Sequence, residues 1–518
     1  MLQNPSGKPV ASPAAGACSG NSPLNSYLIV FLFTTLTVFA WVGWTSAWDT
    51  GLYGDNVEQF VWSHSMELGY YKHPPLPTWL LGLAISAVGS HWWLTNALAA
   101  ACVAATGLFT WLTARQLCGE RTANIAIVLW GLQQCFSVSA EIYNHNTVLV
   151  LCMSALTYTV LRAMSSNRDT RWWLASGVLA AGAMLAKYQA ALPLLALVVA
   201  IFLTAKTRWT YLLWRLALVF VVFFIFFGPH LYWGISNHFP SLRYASEVIE
   251  SGGLVRRAFW VITFAVNQAR MVLPLLLTIM LAALVVRLSR RSKVRSSLPA
   301  SPPSGPASRW SDKETSIWIG CLVWGPVVAL ILVSLLSGSA LRNHWGVQLF
   351  QFLSIWIAWR WRDSGVWNLC ILAATAMVVH AAGFLYYAIK QSDETAALAD
   401  RRADSSYPAQ RMSDAAIAHW KRFSNCPVRI VAGDFEAGLV SAYAKGSPVV
   451  FTAPIATPWV GEADIQRYGA LYVFNTHTAL PVNVSQAIHW SLSRDAQPTG
   501  KYVQLAIRLP ASPCASGF

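Results

Sequence analysis

The chain has 518 residues, of which 55% are hydrophobic and only 11% are charged, with a formal net charge of +15 and a mean hydropathy of +0.44. Soluble globular proteins carry about 25% charged residues, so this composition excludes a surface that faces water on all sides. Apolar stretches of roughly 18 residues or more recur along the chain, and each is long enough to cross a bilayer. The sequence therefore predicts an all-α polytopic membrane protein. Its excess of Lys and Arg is explained by the positive-inside rule, and nucleic acid is not an expected partner.

The segment 1–26 is rich in Ser, Pro, Ala and Gly, and we expect a disordered cytoplasmic tail there rather than a cleaved signal peptide. After it, about 11 membrane spans are predicted, with 13 as an upper count. The predicted spans are 27–44, 92–112, 122–138, 147–164, 172–186, 190–204, 211–228, 271–286, 317–336, 345–359 and 366–389.

Between the first two predicted spans, a polar loop at 45–77 is followed by an apolar segment at 78–89. This segment is too short to span a bilayer comfortably and predicts an interfacial or re-entrant helix. The Ser- and Pro-rich stretch 287–313 is expected to be a basic cytoplasmic linker close to anionic lipid.

Charge asymmetry between the loops predicts that the N-terminus is cytoplasmic and that the C-terminal region 391–518 is outside the inner membrane, in the periplasm. In this region short β-type runs at 428–432, 449–452 and 472–474 follow a helical stretch at 414–422. We therefore expect a transmembrane domain at 27–390 and a small periplasmic α/β domain. The nine cysteines show no metal-binding spacing, and Cys426 and Cys514 would be able to form a disulfide in the periplasm.

Polar residues collect at the predicted outer ends of the spans. Ionisable groups at such positions are costly unless they face a wet cavity or a partner, so they are candidates for function. A few carboxylates face several cations, which suits a phosphate-bearing ligand and a proton that must be removed. The residues are Asp55, Glu58, Lys72, His73, Asn144, Asn146, Lys187, His230, Arg243 and Arg342.

The first loop carries the strongest motif, Gly54-Asp-Asn-Val-Glu-Gln59 followed by Gly69-Tyr-Tyr-Lys-His-Pro-Pro-Leu76. With Tyr143-Asn-His-Asn-Thr147, Leu185-Ala-Lys-Tyr-Gln189, Pro229-His-Leu-Tyr-Trp233 and Arg243-Tyr244, it resembles the GT-C superfamily of polyprenyl-phosphate-sugar-dependent glycosyltransferases. More narrowly, it resembles the bacterial protein mannosyltransferase and aminoarabinose (lipid A) transferase families. The resemblance covers roughly residues 25–390.

The resemblance implies that Asp55 is the essential acidic residue of the first loop, and that Lys72 or His73 is the cation that contacts the lipid-linked phosphate. The chain departs from the family in two places. It reads Lys72-His73 where the aminoarabinose transferases read Glu-Lys before the two prolines, and it reads Asn144-His145-Asn146 where many relatives have an aspartate. No cofactor is certain, and a divalent metal remains open.

The predicted reaction is transfer of a sugar from undecaprenyl phosphate to a lipid or envelope-glycan acceptor at the periplasmic face, most simply lipid A of lipopolysaccharide, with inversion at the sugar carbon. Protein O-glycosylation, a transporter or flippase, and a non-catalytic envelope assembly protein are the alternatives. Each side chain also has a purely structural interpretation, such as a helix cap for Asp55 or a snorkelling anchor for Lys72. The predicted roles are catalysis for Asp55 and Glu58, donor phosphate binding for Lys72, His73, Lys187, Arg243 and Arg342, and substrate binding for Asn144, Asn146, Tyr188, His230 and Tyr244.

Overall fold

The structure is a computed structural model that describes residues 28, 30, 32–166, 169–206, 209–248, 252–292, 310–341, 343–364, 367–392, 405, 407–475, 487–491 and 502–511. The predicted tail at 1–26, the centre of the predicted linker, Arg342 and Cys514 lie outside these residues.

Helices dominate the first 392 residues. A π-helical turn at Thr35–Phe39 leads into the α-helix Ala40–Trp48, and short 3-10 turns lie at Gln134–Phe136, Tyr188–Ala190 and Asn343–Gly346. The α-helices are α1 (Ala40–Trp48), α2 (Gly54–Trp62), α3 (Leu76–Val88), α4 (Leu94–Cys118), α5 (Glu120–Trp130), α6 (His145–Ser165), α7 (Thr170–Ala186), α8 (Ala191–Thr204), α9 (Trp209–Ser236), α10 (Pro240–Val248), α11 (Leu254–Met271), α12 (Leu273–Ser292), α13 (Asp312–Ser337), α14 (Leu353–Arg360) and α15 (Leu369–Ser392).

Within the described ranges, five helices are long and apolar enough to cross a membrane: α4, α6, α9, α13 and α15. The pair α11 and α12, bent by 53° at their junction, is a sixth candidate as one broken span. The protein is thus a multi-pass membrane protein, while the count of about 11 spans remains a prediction. Exposed aliphatic and aromatic side chains cover α9, α12 and α15, as expected for surfaces that face lipid.

Several predicted boundaries were wrong. A span was predicted at 122–138, but the helix there ends at Trp130. Another was predicted at 345–359, where the structure has only the eight-residue helix α14. In contrast, α9 continues through Pro229 to Ser236, where the sequence predicted an end at 228. An apolar helix can retain a proline because neighbouring groups satisfy the freed carbonyl, so proline does not mark the helix end here. Between the spans predicted at 211–228 and 271–286, the structure contains α10 and α11.

The C-terminal segment contains a five-stranded sheet with flanking helices. These elements are α16 (Ala409–Lys421), β1 (Ile430–Gly433), α17 (Phe435–Tyr443), β2 (Val449–Phe451), α18 (Glu462–Tyr468), β3 (Ala470–Asn475), β4 (Ala487–Ser491) and β5 (Tyr502–Arg508). The strand order is β2-β1-β3-β5-β4, with β2, β1 and β3 parallel and the β3–β5 and β5–β4 pairs antiparallel. Cys426 is disulfide-bonded, and its predicted partner Cys514 lies outside the described residues.

This C-terminal unit packs directly on the first loop. Helix α17 crosses α2 so closely that a Cβ on Gly438 would lie 2.3 Å from Cγ1 of Val57. The rings of Trp92 and Tyr443 stack with centroids 5.3 Å apart. The backbone N–H of Gly51 donates to the carbonyl of Ser405 over 2.9 Å. The sheet and its helices therefore fix the position of α2, the helix that carries Asp55 and Glu58.

Replacement of Gly438 by Ala should weaken this packing, because the added methyl group forces α17 away from Val57. We expect destabilisation of about 1–3 kcal/mol, with a lower unfolding temperature and faster proteolysis of the C-terminal segment. Gly320→Ala is the matched control, since Gly320 also lies inside a helix and nothing lies within 4 Å of its would-be Cβ. Equal protease sensitivity of the two variants would contradict tight docking of α17 on α2.

Candidate functional site

Asp55 lies in the first turn of α2, with its side chain at the surface of the protein. Its Oδ2 accepts a hydrogen bond of 2.7 Å from Nδ2 of Asn144. The N-terminal end of a helix favours an anion, because backbone N–H groups there are unpaired and the helix dipole is positive. The carboxylate is thus held in one direction while it remains accessible to a ligand.

The neighbouring residue Asn56 is fully buried and connects α2 to two other parts of the chain. Its Nδ2 donates to the side chains of Thr95 and Asn96 over 3.2 and 2.9 Å and to the carbonyl of Glu141 over 3.0 Å. Its Oδ1 accepts from the backbone N–H of Tyr143 over 2.8 Å. One buried amide therefore sets the distance between the Asp55 helix and the loop that carries Asn144.

Asn144 forms the N-cap of α6, as an asparagine before an apolar helix commonly does. Its Oδ1 accepts from the backbone N–H groups of Asn146 and Thr147 over 2.8 and 3.1 Å. Both ends of this amide are therefore occupied, one by the helix and one by Asp55. This geometry makes Asn144 a residue that positions Asp55.

Lys187 lies at the break between α7 and the following 3-10 turn, with extended backbone angles. Its side chain is 8% exposed, and Nζ donates to Oδ1 of Asn146 over 2.7 Å. Lys187 lies within electrostatic range of Asp55. The structure therefore brings Asp55, Asn144, Asn146 and Lys187 together from three separate elements.

Glu58, one helical turn after Asp55, forms an ion pair with Lys72, whose Nζ lies 3.2 Å from both carboxylate oxygens. The Lys72 ammonium also lies over the rings of Tyr71 and Tyr244, at 5.3 and 5.5 Å from their centroids. Burial raises the pKa of Glu58 to about 7, although the charge of Lys72 opposes this shift. Burial alone would lower the pKa of Lys72, but the Glu58 carboxylate reverses this and raises it.

Tyr188 and His230 form a second hydrogen-bonded group. The Nδ1 of His230 lies 2.7 Å from the carbonyl of Leu68 and therefore carries a proton. In the neutral ring its Nε2 then accepts from the Tyr188 hydroxyl over 2.7 Å, and the Ser241 hydroxyl lies 3.2 Å from the same Tyr188 oxygen. These contacts connect the first loop to α9 and α10. His230 and Tyr188 therefore hold these elements together.

The remaining predicted residues are more dispersed. His73 packs its ring against His145, with centroids 3.8 Å apart, and lies close to Trp62. Arg243 is exposed and lies 3.9 Å from Glu247 on the same helix. Arg342 lies outside the described residues, so its predicted role remains a prediction.

Sequence reasoning missed Asn56 and Asp434, the residue immediately before α17. The charge of Asp434 acts on the Glu58 carboxyl, so the C-terminal unit contributes a carboxylate near the first loop. Asn56 stands next to Asp55 in the sequence, but the sequence shows neither its burial nor its hydrogen-bond partners. In the described part of the chain, no group of three or more His, Cys, Asp or Glu side chains could hold a metal ion.

Next to this centre, a cavity of about 430 Å³ opens between the first loop, the segment from α9 to α10, and the C-terminal segment 454–459. Tyr71 lines the cavity and also contacts Lys72, so the cavity adjoins the Glu58–Lys72 pair. Arg243 lines the cavity too.

The arrangement of helices and sheet is similar to that of a solved membrane protein. The chain resembles ArnT from Cupriavidus metallidurans in the crystal structure with bound undecaprenyl phosphate, with a TM-score of 0.54 and 18% sequence identity, over 94% of this chain and 99% of that one. The apo crystal structure of the same protein gives a TM-score of 0.52 and 19% identity, over 94% and 98% of the two chains. The chain therefore has an ArnT-like fold.

A family profile described as dolichyl-phosphate-mannose-protein mannosyltransferase matches residues 72–233. This range includes Lys72, Asn144, Lys187 and His230. No curated protein sequence matches the chain. The resemblance to the GT-C superfamily of polyprenyl-phosphate-dependent glycosyltransferases is thus confirmed.

Replacement of Asn56 by Ala should destabilise the protein by ~3 kcal/mol, because it leaves the buried Tyr143 N–H and the side chains of Thr95 and Asn96 without this partner. The midpoint of thermal unfolding in detergent measures the effect. Asn237→Ala is the control, since that exposed amide donates to the carbonyl of Trp233, four residues earlier and near the end of α9. Equal midpoints for the two variants would exclude a structural role for the Asn56 amide.

Glu58 should titrate near pH 7 rather than near its ordinary value of 4.5. The ion pair with Lys72 is then complete only above this pH. Because the pKa of Glu58 is higher in the folded than in the unfolded protein, the protonated carboxyl adds to the free energy of unfolding at low pH. This contribution is lost as pH rises through about 7. The infrared carboxyl band that disappears in Glu58→Gln reports the titration. Lys72→Met should move it to higher pH, and a band that titrates near 4.5 would refute this picture.

Proposed function

We propose that this protein is an inverting membrane glycosyltransferase that moves a sugar from undecaprenyl phosphate to an acceptor at the periplasmic face of the inner membrane. The observation that carries the proposal is the group Asp55–Asn144–Asn146–Lys187, in which two amides hold an accessible carboxylate and a buried ammonium in one site. The ArnT-like fold and the profile match support the same reaction class. ArnT itself was crystallised with undecaprenyl phosphate.

In the proposed reaction, the carboxylate of Asp55 takes the proton of the acceptor hydroxyl as its oxygen attacks the anomeric carbon of the sugar. The bond from this carbon to the phosphate oxygen breaks, and its electron pair remains on undecaprenyl phosphate. A single displacement of this kind inverts the configuration at the sugar carbon.

Negative charge grows on the phosphate as it leaves, so nearby cations stabilise the transition state more than the ground state. Lys187, Lys72 and its sequence neighbour His73 are the proposed phosphate-binding residues. Lys187 is held by Asn146 in a buried position, where burial lowers the pKa of its amine. The negative phosphate would favour the charged form. Glu58 holds Lys72 in place and sets the charge of the pair.

The proposed acceptor is lipid A or another envelope glycolipid. A protein acceptor is the alternative, because the matching profile describes a protein mannosyltransferase. A lipid or solute transporter, the rival from another class, would need no carboxylate beside a phosphate-binding cation and would release no free undecaprenyl phosphate. A non-catalytic assembly protein would not depend on the charge of Asp55.

Asp55→Asn should lower transfer about 10²- to 10⁴-fold, and Lys187→Met should lower it comparably, with normal amounts of protein in the membrane. Release of undecaprenyl phosphate from donor lipids by purified protein measures the chemistry. Mass spectrometry of lipid A, envelope glycans and proteins identifies the acceptor in cells.

Asp312→Asn is the matched control, because Asp312 is an exposed carboxylate at the start of a helix and pairs with Arg362 away from the site. We expect it to retain wild-type activity. Full release of undecaprenyl phosphate by Asp55→Asn would refute the proposed role of Asp55, and no release by the wild type would favour the transporter.

A further inference from the structure

Three helices that carry residues of the candidate site also meet at the opposite face of the membrane domain. Helix α6 begins beside Asn144, α7 ends beside Lys187, and α9 has His230 near its end. Helix α7 packs against both α6 and α9. The end of α6 and the starts of α7 and α9 therefore lie on the far side, about 25 Å from Lys187 along the 17 residues of α7.

Arg215 lies in the second turn of α9, is partly buried, and contacts the start of α7. Its Nη1 donates a hydrogen bond of 2.6 Å to the hydroxyl of Thr170, and its guanidinium lies 4.9 Å from the centroid of the Tyr211 ring. Its Nε–H is buried and has no hydrogen-bond partner among the residues that the structure describes. Because a buried charged donor without an acceptor is costly, this position favours an anion.

Arg162 lies in the last turn of α6 and is exposed. Its guanidinium lies over the ring of Trp172, 5.1 Å from the centroid. Trp172 and Thr170 both belong to the first turn of α7, so the two guanidinium groups contact the same helix start. Two positive charges from α6 and α9 are thus held beside one turn of a third helix.

Within the described part of the chain, Arg162 and Arg215 form no ion pair with a carboxylate, unlike other basic residues of this face. The pairs found where α4 and α8 end and α13 begins are Arg115 with Glu120, Lys206 with Glu314, and Arg362 with Asp312. Asp169, next to Thr170, is bound by Arg171 through hydrogen bonds of 2.9 and 2.8 Å. The charges of Arg162 and Arg215 are therefore balanced from outside this part of the chain.

The side chains around the two arginines are those of a membrane–water interface. Trp209 and Trp214 at the start of α9 are 58% and 73% exposed, and Leu213 between them is also exposed. Tryptophan concentrates where the hydrocarbon meets the headgroups, and exposed apolar side chains of a spanning helix face acyl chains.

A guanidinium forms paired, charge-assisted hydrogen bonds with phosphate oxygens. Basic pockets between the ends of membrane-spanning helices bind anionic lipid headgroups for this reason. Because apolar side chains of α9 adjoin the guanidinium of Arg215, the surroundings favour a phospholipid over a dissolved phosphate.

We propose that Arg162 and Arg215 bind the phosphate of an anionic phospholipid at the membrane face opposite the candidate site. The inference does not depend on the proposed function. A lipid held by both arginines joins α6 and α9 across the start of α7, and α6 and α7 carry Asn146 and Lys187 at their other ends. Because a ligand that binds only the folded protein stabilises it, the bound lipid also raises the unfolding temperature.

Native mass spectrometry of the full-length protein in detergent tests the proposal by titration with dioleoyl phosphatidylglycerol. Dioleoyl phosphatidylcholine, which has the same acyl chains and no net charge, is the reference lipid. We expect the wild type to retain phosphatidylglycerol about tenfold more tightly and to unfold at a higher temperature in its presence. Equal retention of the two lipids would overturn the proposal.

Arg162→Gln combined with Arg215→Gln should lower retention of phosphatidylglycerol about tenfold and abolish the lipid-dependent gain in unfolding temperature. Arg162→Gln alone, at an exposed position, should lower retention in the same direction and tests the proposal even if the double variant does not fold. Arg362→Gln is the matched control, because its guanidinium also lies over a tryptophan ring at this face, 5.0 Å from the centroid of Trp359, but is paired with Asp312. The control should retain the lipid as the wild type does. Equal loss in the control, or undiminished retention in both Arg162 variants, would overturn the proposal.

Inorganic phosphate, added at the same concentration as the lipid, distinguishes a lipid site from a site for a dissolved anion. We expect phosphatidylglycerol to stay bound, because free phosphate lacks the acyl chains that lie along the exposed apolar side chains of α9. Displacement of the lipid by phosphate would assign the two arginines to a soluble anion and overturn the lipid assignment.

Discussion

The geometry of the site depends on one buried amide. Asn56 joins α2 to the loop before α6 and to the start of α4, and all of its hydrogen bonds lie where water cannot replace them. Because buried polar groups are costly without partners, this set of bonds permits one arrangement of the three segments. Asp55 precedes Asn56 in the sequence, and Asn144 follows Tyr143, whose backbone N–H donates to Asn56. The direction of the Asp55 carboxylate is thus fixed by the buried residue next to it.

The two carboxylates of α2 lie one helical turn apart in different surroundings. Asp55 is exposed and receives a hydrogen bond from a neutral amide, whereas Glu58 is half-buried and paired with an ammonium. Different surroundings give neighbouring acids different protonation states, which is how one site can hold both a base and a charge-balancing group. The π faces of Tyr71 and Tyr244 keep the Lys72 ammonium near this pair. The first loop therefore holds the proposed base and a paired carboxylate within a single short segment.

Hydropathy predicted most of the helices because a membrane-spanning helix needs about 20 apolar residues. The polar break at Lys187 separated α7 from α8, as the sequence predicted. Hydropathy did not predict helix ends such as Trp130, or the passage of α9 through Pro229, because those depend on neighbouring helices. Motif and polarity predicted Asp55, Lys72 and Lys187 as site residues, and these remain predictions. The pairing of Lys72 with Glu58 and of His73 with His145 joins positions that sequence spacing does not relate. The docking of α17 on Val57 connects residues almost 400 positions apart, which no local pattern reports.

That docking also bears on how the protein is made. Helix α2 is synthesised among the first 62 residues, yet α17 packs on it at Val57, and Ser405 accepts hydrogen bonds from Thr50 and Gly51 just before it. Both α17 and Ser405 leave the ribosome much later. A growing chain can insert its helices in order, but the carboxylate helix acquires its full set of neighbours only once the C-terminal sheet has folded. The first loop therefore reaches its final packing only after the C-terminal unit has been made.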